Sequence, residues 1–268
     1  MRTKRSWFII VMAIVMSGVL TGCLDEGQNS QDFPGFPAYI TQRDQRYFME
    51  NSVVNVYADM SGITTDPYSF FETFGIAWYN INYDTQPAGT DGINIPYTAS
   101  VYQWLPVETG YLNSSEGDFS DFYTDTIIDA YLYFGQLLRD HAFFVMTQNS
   151  PEKREYRYTL THNLDSTASQ NNIPALYVQA EISSDATGSP VAVLRPFAFD
   201  MSMLLSDPAY AEDVKIGGVD CEQVKFNLYY QSGVDKTTGK PIFTKAVNEG
   251  YPGQPFEFFR IKPQITFG

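Results

Sequence analysis

The sequence predicts an all-β fold in two consecutive units, a small antiparallel barrel or sheet followed by an antiparallel β-sandwich. Tyr and Phe are abundant, at 19 and 20 residues, and aromatic side chains favour strands over helices. Apolar and polar residues alternate with a period of two in stretch after stretch, the pattern of antiparallel sheets with one face in water. Helical spacing is scarce. Gln42–Glu50 reads as one helix and Met201–Leu205 as a single turn, and no internal repeat or heptad pattern is present.

The first unit is read over residues 36–112. Val53–Met60 is β-branched and alternating, and Gly75–Tyr83 puts Ala77, Tyr79, Ile81 and Tyr83 on one face with Asn80 and Asn82 on the other. Thr85–Gly92 has turn composition. Ile93–Leu105 is a further extended run, which Pro106 ends. Residues 113–126, polar and acidic from Asn113 to Asp121, form a linker. The second unit, 127–268, alternates more clearly. Ile128, Ala130, Leu132 and Phe134 share a phase, and Phe143–Met146 is a short apolar run. Tyr156, Tyr158 and Leu160 oppose Arg157, Thr159 and Thr161; Leu176, Val178, Ala180 and Ile182 oppose Gln179, Glu181 and Ser183. Val224, Phe226, Leu228 and Tyr230 oppose Lys225, Asn227 and Gln231. Half-polar strands in this number are the signature of a sandwich.

The N-terminus gives an address. Arg2, Lys4 and Arg5 precede an apolar run from Trp7 to Met16, closed by Leu20-Thr21-Gly22-Cys23. The run is too short for a permanent membrane helix and has the size of a signal-peptide core. Leu-x-Gly-Cys after such a run resembles a bacterial lipobox. Residues 1–22 are then a lipoprotein signal peptide, with Leu20, Thr21 and Gly22 read by the processing machinery. Cys23 is the lipidation site, acylated (palmitate-type) through its sulfur as the mature N-terminus. Residues 23–35 form a flexible, poorly apolar tether, and the pair Asp25-Glu26 also resembles a surface-export signal. The expected location is the outer membrane, on its periplasmic or cell-surface side.

Charge limits the partners. The formal net charge is −14, and loss of Arg2, Lys4 and Arg5 with the signal peptide carries it to −17. Such a chain has no basic footprint for nucleic acid, and it repels anionic lipid, so the anchor at Cys23 holds it to the membrane. Acylation of Cys23 leaves Cys221 without a disulfide partner, a small buried hydrophobe.

The order of lipobox, acidic tether, small β-unit and a segment Asp125-Thr126-Ile127-Ile128-Asp129-Ala130-Tyr131-Leu132 before the apolar run Ala142–Met146 resembles the NigD-like lipoproteins of Bacteroidota. Leu160-Thr161-His162-Asn163 and Phe199-Asp200-Met201-Ser202-Met203-Leu204-Leu205 continue the likeness. The resemblance implies an OB-like N-terminal barrel, a C-terminal β-sandwich, and a bacteriocin-associated, immunity-like role as one functional alternative.

Motifs for chemistry are sparse. The histidines are His141, beside Asp140 in a hairpin turn, and His162, in phase with Tyr156, Tyr158 and Leu160. Neither accompanies a nucleophile elbow. Ser150-Pro151-Glu152-Lys153 matches Ser-x-x-Lys, but strand-like sequence flanks it, so it reads as a surface turn; Lys236-Thr237-Thr238-Gly239 only approximates Lys-Thr-Gly. Glu116, Asp118, Asp121, Asp125 and Asp129 lack the spacing of a calcium loop and read as a solvated linker. No metal or cofactor is expected. Trp78, Trp104, Tyr97, Tyr102 and Tyr111 offer a glycan platform if exposed, and Tyr229-Tyr230 must place one ring outward. A hydrolase would need two acids facing each other across a cleft. The expectation is a non-enzymatic, membrane-anchored binding or assembly protein for an unknown protein or glycan ligand. A glycan-binding surface protein is the main alternative.

Overall fold

In the computed structural model, which describes residues 29–51, 53–63, 70–92, 95–115, 125–164 and 173–262, the alternating stretches fold as strands and the chain divides into two units at Glu108 and Thr109. Cys23, the signal peptide and the tether up to residue 28 lie outside the described residues, as do Glu116, Asp118, Asp121 and 165–172.

The first unit contains β1 (Ser30–Arg43), β2 (Arg46–Asn51), β3 (Val56–Asp59), β4 (Thr73–Asn82), a 3₁₀ turn η1 (Tyr83–Thr85) and the first part of β5 (Tyr97–Ser115). β1 pairs with β2 and β4, β2 with β3, and β4 with β5, all antiparallel; β3 pairs with β5 in parallel. The pairings close a ring, β1-β2-β3-β5-β4-β1, the five-stranded Greek-key barrel of the OB type. A bulge between Phe33 and Phe36 bends β1, with Gly35 at φ 72°, and lets one strand serve two neighbours. Inside lie Ala38, Ile40, Met49, Val56, Tyr79 and Val101. Phe33 stacks on Tyr79 with ring centroids 4.6 Å apart.

Three readings of this unit are corrected. The tether does not extend to residue 35: β1 begins at Ser30, where Asp32 accepts a hydrogen bond from Asn80 at 2.8 Å. Gln42–Glu50 is no helix but the β1–β2 hairpin. Asp44 and Gln45 take φ of 52° and 61°, the turn whose twist matches its strands. Pro106 does not end β5, which runs on to Ser115 and so takes in the start of the linker expected at 113–126. Only Tyr97–Ser100 pairs with β3, so the proline falls where β3 needs no donor.

The second unit holds the rest of β5, then β6 (Asp129–Leu138), β7 (His141–Ser150), β8 (Glu155–Asn163), β9 (Ala175–Ser184) and β10 (Val191–Asp200). The one-turn helix α1 (Ser202–Leu205) follows, in the place expected for a helical turn, before β11 (Ala211–Ile216), β12 (Val219–Val234), β13 (Pro241–Lys245) and β14 (Phe256–Ile261). One sheet runs β10-β7-β6-β14-β12-β11 and the other β5-β8-β9-β12-β13. β12 belongs to both. Cys221–Phe226 pairs with β14, and Asn227–Tyr230 pairs with β9. Phe144, Phe199, Phe226, Phe258, Leu160 and Val178 fill the space between the sheets. The apolar phase of β8, β9 and β12 lines this core except at Ile182, which is 41% exposed, and Ile128 of the β6 phase is 49% exposed. The opposing phase is not all in water, since Thr161, Gln179 and Gln231 are buried and Gln179 Nε2 donates to Gln231 Oε1 at 2.8 Å.

His162 ends the buried phase of β8. It is 2% exposed, its Nε2 has no hydrogen-bond partner among the described residues, and its ring meets Tyr210 edge-on at 5.2 Å. Burial pushes its pKa below the usual 6.5, and the nearby Asp207 opposes that shift in part.

Two outcomes are expected. A Cβ at Gly75 would collide with the Trp104 indole, so Gly75→Ala destabilises the barrel by about 1–3 kcal/mol, read by urea titration of tryptophan fluorescence. His162 is neutral in the folded chain while an unfolded chain takes up a proton near pH 6.5. Its stabilising contribution is therefore complete above that value and is lost as pH falls towards the lower folded pKa. His162→Phe removes that part of the pH dependence, and parallel stability curves of the two proteins from neutral to mildly acidic pH would refute it.

Candidate functional site

Strand register assembles one surface row that the linear sequence scatters. Thr41 lies opposite Phe48, Phe48 opposite Tyr57, and Tyr57 opposite Thr98, across β1, β2, β3 and β5. Their neighbours Ile40, Met49, Val56 and Ala99 fill the barrel, so the row points outward. Arg43 and Arg46 flank it at the hairpin end, facing each other across β1 and β2.

The arginines cover the aromatics. The Arg46 guanidinium carbon sits 4.0 Å from the centre of the Tyr57 ring, and that of Arg43 sits 5.2 Å from the Phe48 ring. The two rings meet edge to face at 5.7 Å. Arg46 Nη2 donates to Thr98 Oγ1 at 3.0 Å, and Tyr57 OH donates to Asp44 Oδ2 at 2.8 Å. That carboxylate raises the Tyr57 pKa, chiefly through the hydrogen bond. Gln86, just after η1, pins the far end of the row. Thr98 N donates to its Oε1 at 2.8 Å and its Nε2 donates to Thr98 O at 3.0 Å. Across residues 29–108, Arg43 and Arg46 are the only basic residues, against nine acids. This face of the OB architecture, with its neighbouring loops, is where such barrels hold ligands.

The residues singled out in the sequence lie elsewhere. Trp104 is buried in the barrel core at 8% exposure and Trp78 is half-buried, so the two indoles do not present paired open faces. Tyr97 packs edge-on against Tyr83 at 5.2 Å, while Tyr102 and Tyr111 are exposed at 53% and 76%. Tyr229 stacks on Tyr177 at 5.0 Å, and Tyr230 packs against the sandwich core. His141 Nδ1 lies 2.7 Å from the Arg139 carbonyl. Its neighbour Asp140 is held by Arg260, which also binds Glu222. Ser150 ends β7 fully buried, and Arg154 N closes a turn on the Pro151 carbonyl at 3.1 Å. No helical turn brings Lys153 beside Ser150.

Lys236–Gly239 form the β12–β13 turn, wound around Asp235, whose carboxylate accepts from Thr237 N and Thr238 N. Asp125 accepts from Tyr156 OH at 2.7 Å and lies 3.6 Å from Arg154; Asp129 accepts from Ala130 N at 2.9 Å. Cys221 is buried. Among the described residues no group of three His, Cys, Asp or Glu side chains is placed to hold a metal ion. No described helix is long and apolar enough to cross a membrane.

A helical reading of Gln42–Glu50 hides the arginine–aromatic face. A period-two reading of the same residues, with two arginines flanking a turn, is the signal that finds it.

No protein-family model matches the chain, and no curated protein matches it in sequence. Solved structures do. A protein of Parabacteroides merdae described as uncharacterized is similar over 84% of this chain and 97% of its own, with a TM-score of 0.56 and 12% identity. A NigD-like immunity protein of Bacteroides caccae is similar over 82% of this chain and 93% of its own, at a TM-score of 0.46 and 11% identity. The likeness to the Parabacteroides merdae protein extends through both units, and it is a likeness of fold.

Proposed function

We propose that the chain is a lipid-anchored protein of the bacterial envelope, attached to the outer membrane through Cys23, and that it binds a ligand rather than transforming one. The observation that carries the binding reading is the outer face of the barrel, where its only two basic residues lie on aromatic rings with hydroxyls alongside. Two charged clusters of the sandwich are consistent with the same reading. Arg154 bridges Asp125 and Asp185, and Arg260 bridges Asp140 and Glu222, so these groups serve the fold. The anchor rests on Leu20-Thr21-Gly22-Cys23 after its apolar run. Each buried acyl methylene contributes about 0.8 kcal/mol, and more than one chain is needed for stable attachment.

Cys23→Ala is expected to abolish incorporation of a palmitate analogue and to release the chain from the membrane fraction of the native host. A variant that still labels and still sediments with membranes overturns the anchor. Protease treatment of intact cells carrying a C-terminal tag then decides the side: loss of the tag while a periplasmic marker survives means the cell surface. The immunity-like role implied by the family resemblance makes its own demand. A deletion strain must become more sensitive to the cognate bacteriocin, and unchanged sensitivity counts against it.

A further inference from the structure

We infer that the β1–β2–β3 face of the barrel takes a compact ligand bearing one carboxylate on a hydroxyl-rich body, the terminal acidic sugar of a glycan. The inference rests on the binding reading above and names the ligand for that face.

Charge sets the first limit. In a barrel with nine acids, an anion finds favourable potential only over Arg43 and Arg46. A second or third negative charge on the same ligand would meet Asp44 at the turn, or Glu50 and Asp59, which share the outward phase of β2 and β3. A phosphate chain or an anionic lipid surface brings many charges at once and is repelled. One carboxylate is what this face accommodates.

Donor geometry sets the second. Guanidinium presents five N–H donors in a planar fork that matches a carboxylate edge to edge. Arg46 uses one of them on Thr98. Its ring partner Tyr57 and that residue's anchor on Asp44 hold the guanidinium in place before any ligand arrives, which lowers the ordering cost of binding. Among the described residues, Arg43 meets the exposed Asp44 carboxylate at 4.0 Å and lies over Phe48.

The body of the ligand is set by what surrounds the fork. Thr41 and Thr98 place hydroxyls at the two ends of the row, and Asp44 supplies an acceptor beside it. Phe48 is 7% exposed, with the Arg43 guanidinium over its ring and Tyr57 at its edge, so a purely apolar ligand gains little area here. Alternating donors and acceptors around a carboxylate fork suit sugar hydroxyls.

The test is a titration of the purified chain with a glucuronate-terminated disaccharide and with its neutral glucose counterpart. Calorimetry gives affinity, and NMR follows the arginine Nε–H signals. The acidic sugar should bind and the neutral one should be weaker by about tenfold or more, the scale of one charge-assisted hydrogen bond. Arg46→Gln should lose about tenfold. Arg46→Lys should recover part of that, since it keeps the charge without the fork. Binding should weaken as salt rises from about 0.1 M to about 1 M, where the screening length falls from about 10 Å to about 3 Å. Both arginines are exposed, so the variants keep the fold of the parent, which their melting curves verify. Equal binding of the neutral sugar, binding untouched by Arg46→Gln and Arg43→Gln, or no heat and no signal shift at millimolar ligand overturns the inference. None of these outcomes bears on the lipid anchor, which is read from labelling of Cys23.

Discussion

Both units depend on a single long strand with both edges occupied. Backbone N–H and C=O groups left at a sheet edge need partners, and a small β-unit solves this by closing on itself. In the barrel β1 meets that demand: fourteen residues long, it pairs with β2 at one end and with β4 along most of its length. In the sandwich it is β12, sixteen residues long, which joins β14 and β11 in one sheet to β9 and β13 in the other. The bulge at Phe33/Phe36 bends β1, and β12 passes from one sheet to the other between Phe226 and Asn227. Strands that change sheets make the corners of closed β architectures.

That dependence explains what was legible in the sequence. Period-two alternation reports which face of a strand is buried, and it located the cores of β8, β9 and β12 through Tyr158, Leu160, Val178, Phe226 and Leu228. It does not report where pairing starts or stops, because ladder hydrogen bonds are made by the backbone whatever the side chains. Ser30, Gln31 and Asp32 have the composition of a tether and yet pair with Asn82, Ile81 and Asn80. Pro106 has the chemistry of a strand terminator and sits where one neighbour has already left. The β1–β2 hairpin reads as a helix in sequence because its turn residues are Asp44 and Gln45, without the glycine that advertises a two-residue turn.

The barrel face was harder still to read, since its members lie at 41, 48, 57 and 98 and meet only through three strand pairings. Even a correct list of strands leaves that row undetermined until the register is known, for a slip of one residue would turn Phe48 and Tyr57 into the core. The lipobox-like segment is the opposite case. The anchor proposed at Cys23 is argued from the linear string Leu20-Thr21-Gly22-Cys23 alone, so its whole content is present in the order of residues.

Arg154 and Arg260 of the sandwich are held differently from the two arginines of the barrel, while Arg195 of the sandwich lies 4.9 Å over the Tyr156 ring much as the barrel arginines lie over theirs. Arg154 and Arg260 each sit between two carboxylates, so their charges are cancelled locally and their donors are spent on the fold. Among the described residues, Arg43 and Arg46 are held mainly by aromatic faces. A ring quadrupole attracts a cation without carrying a compensating net charge, and the 4.0 Å approach of Arg43 to Asp44 is between exposed groups, where such a pair contributes little. The guanidinium groups of the barrel are therefore positioned and still positive. In a unit otherwise rich in acids, that combination concentrates the positive charge on one face, the face proposed to hold an anionic group.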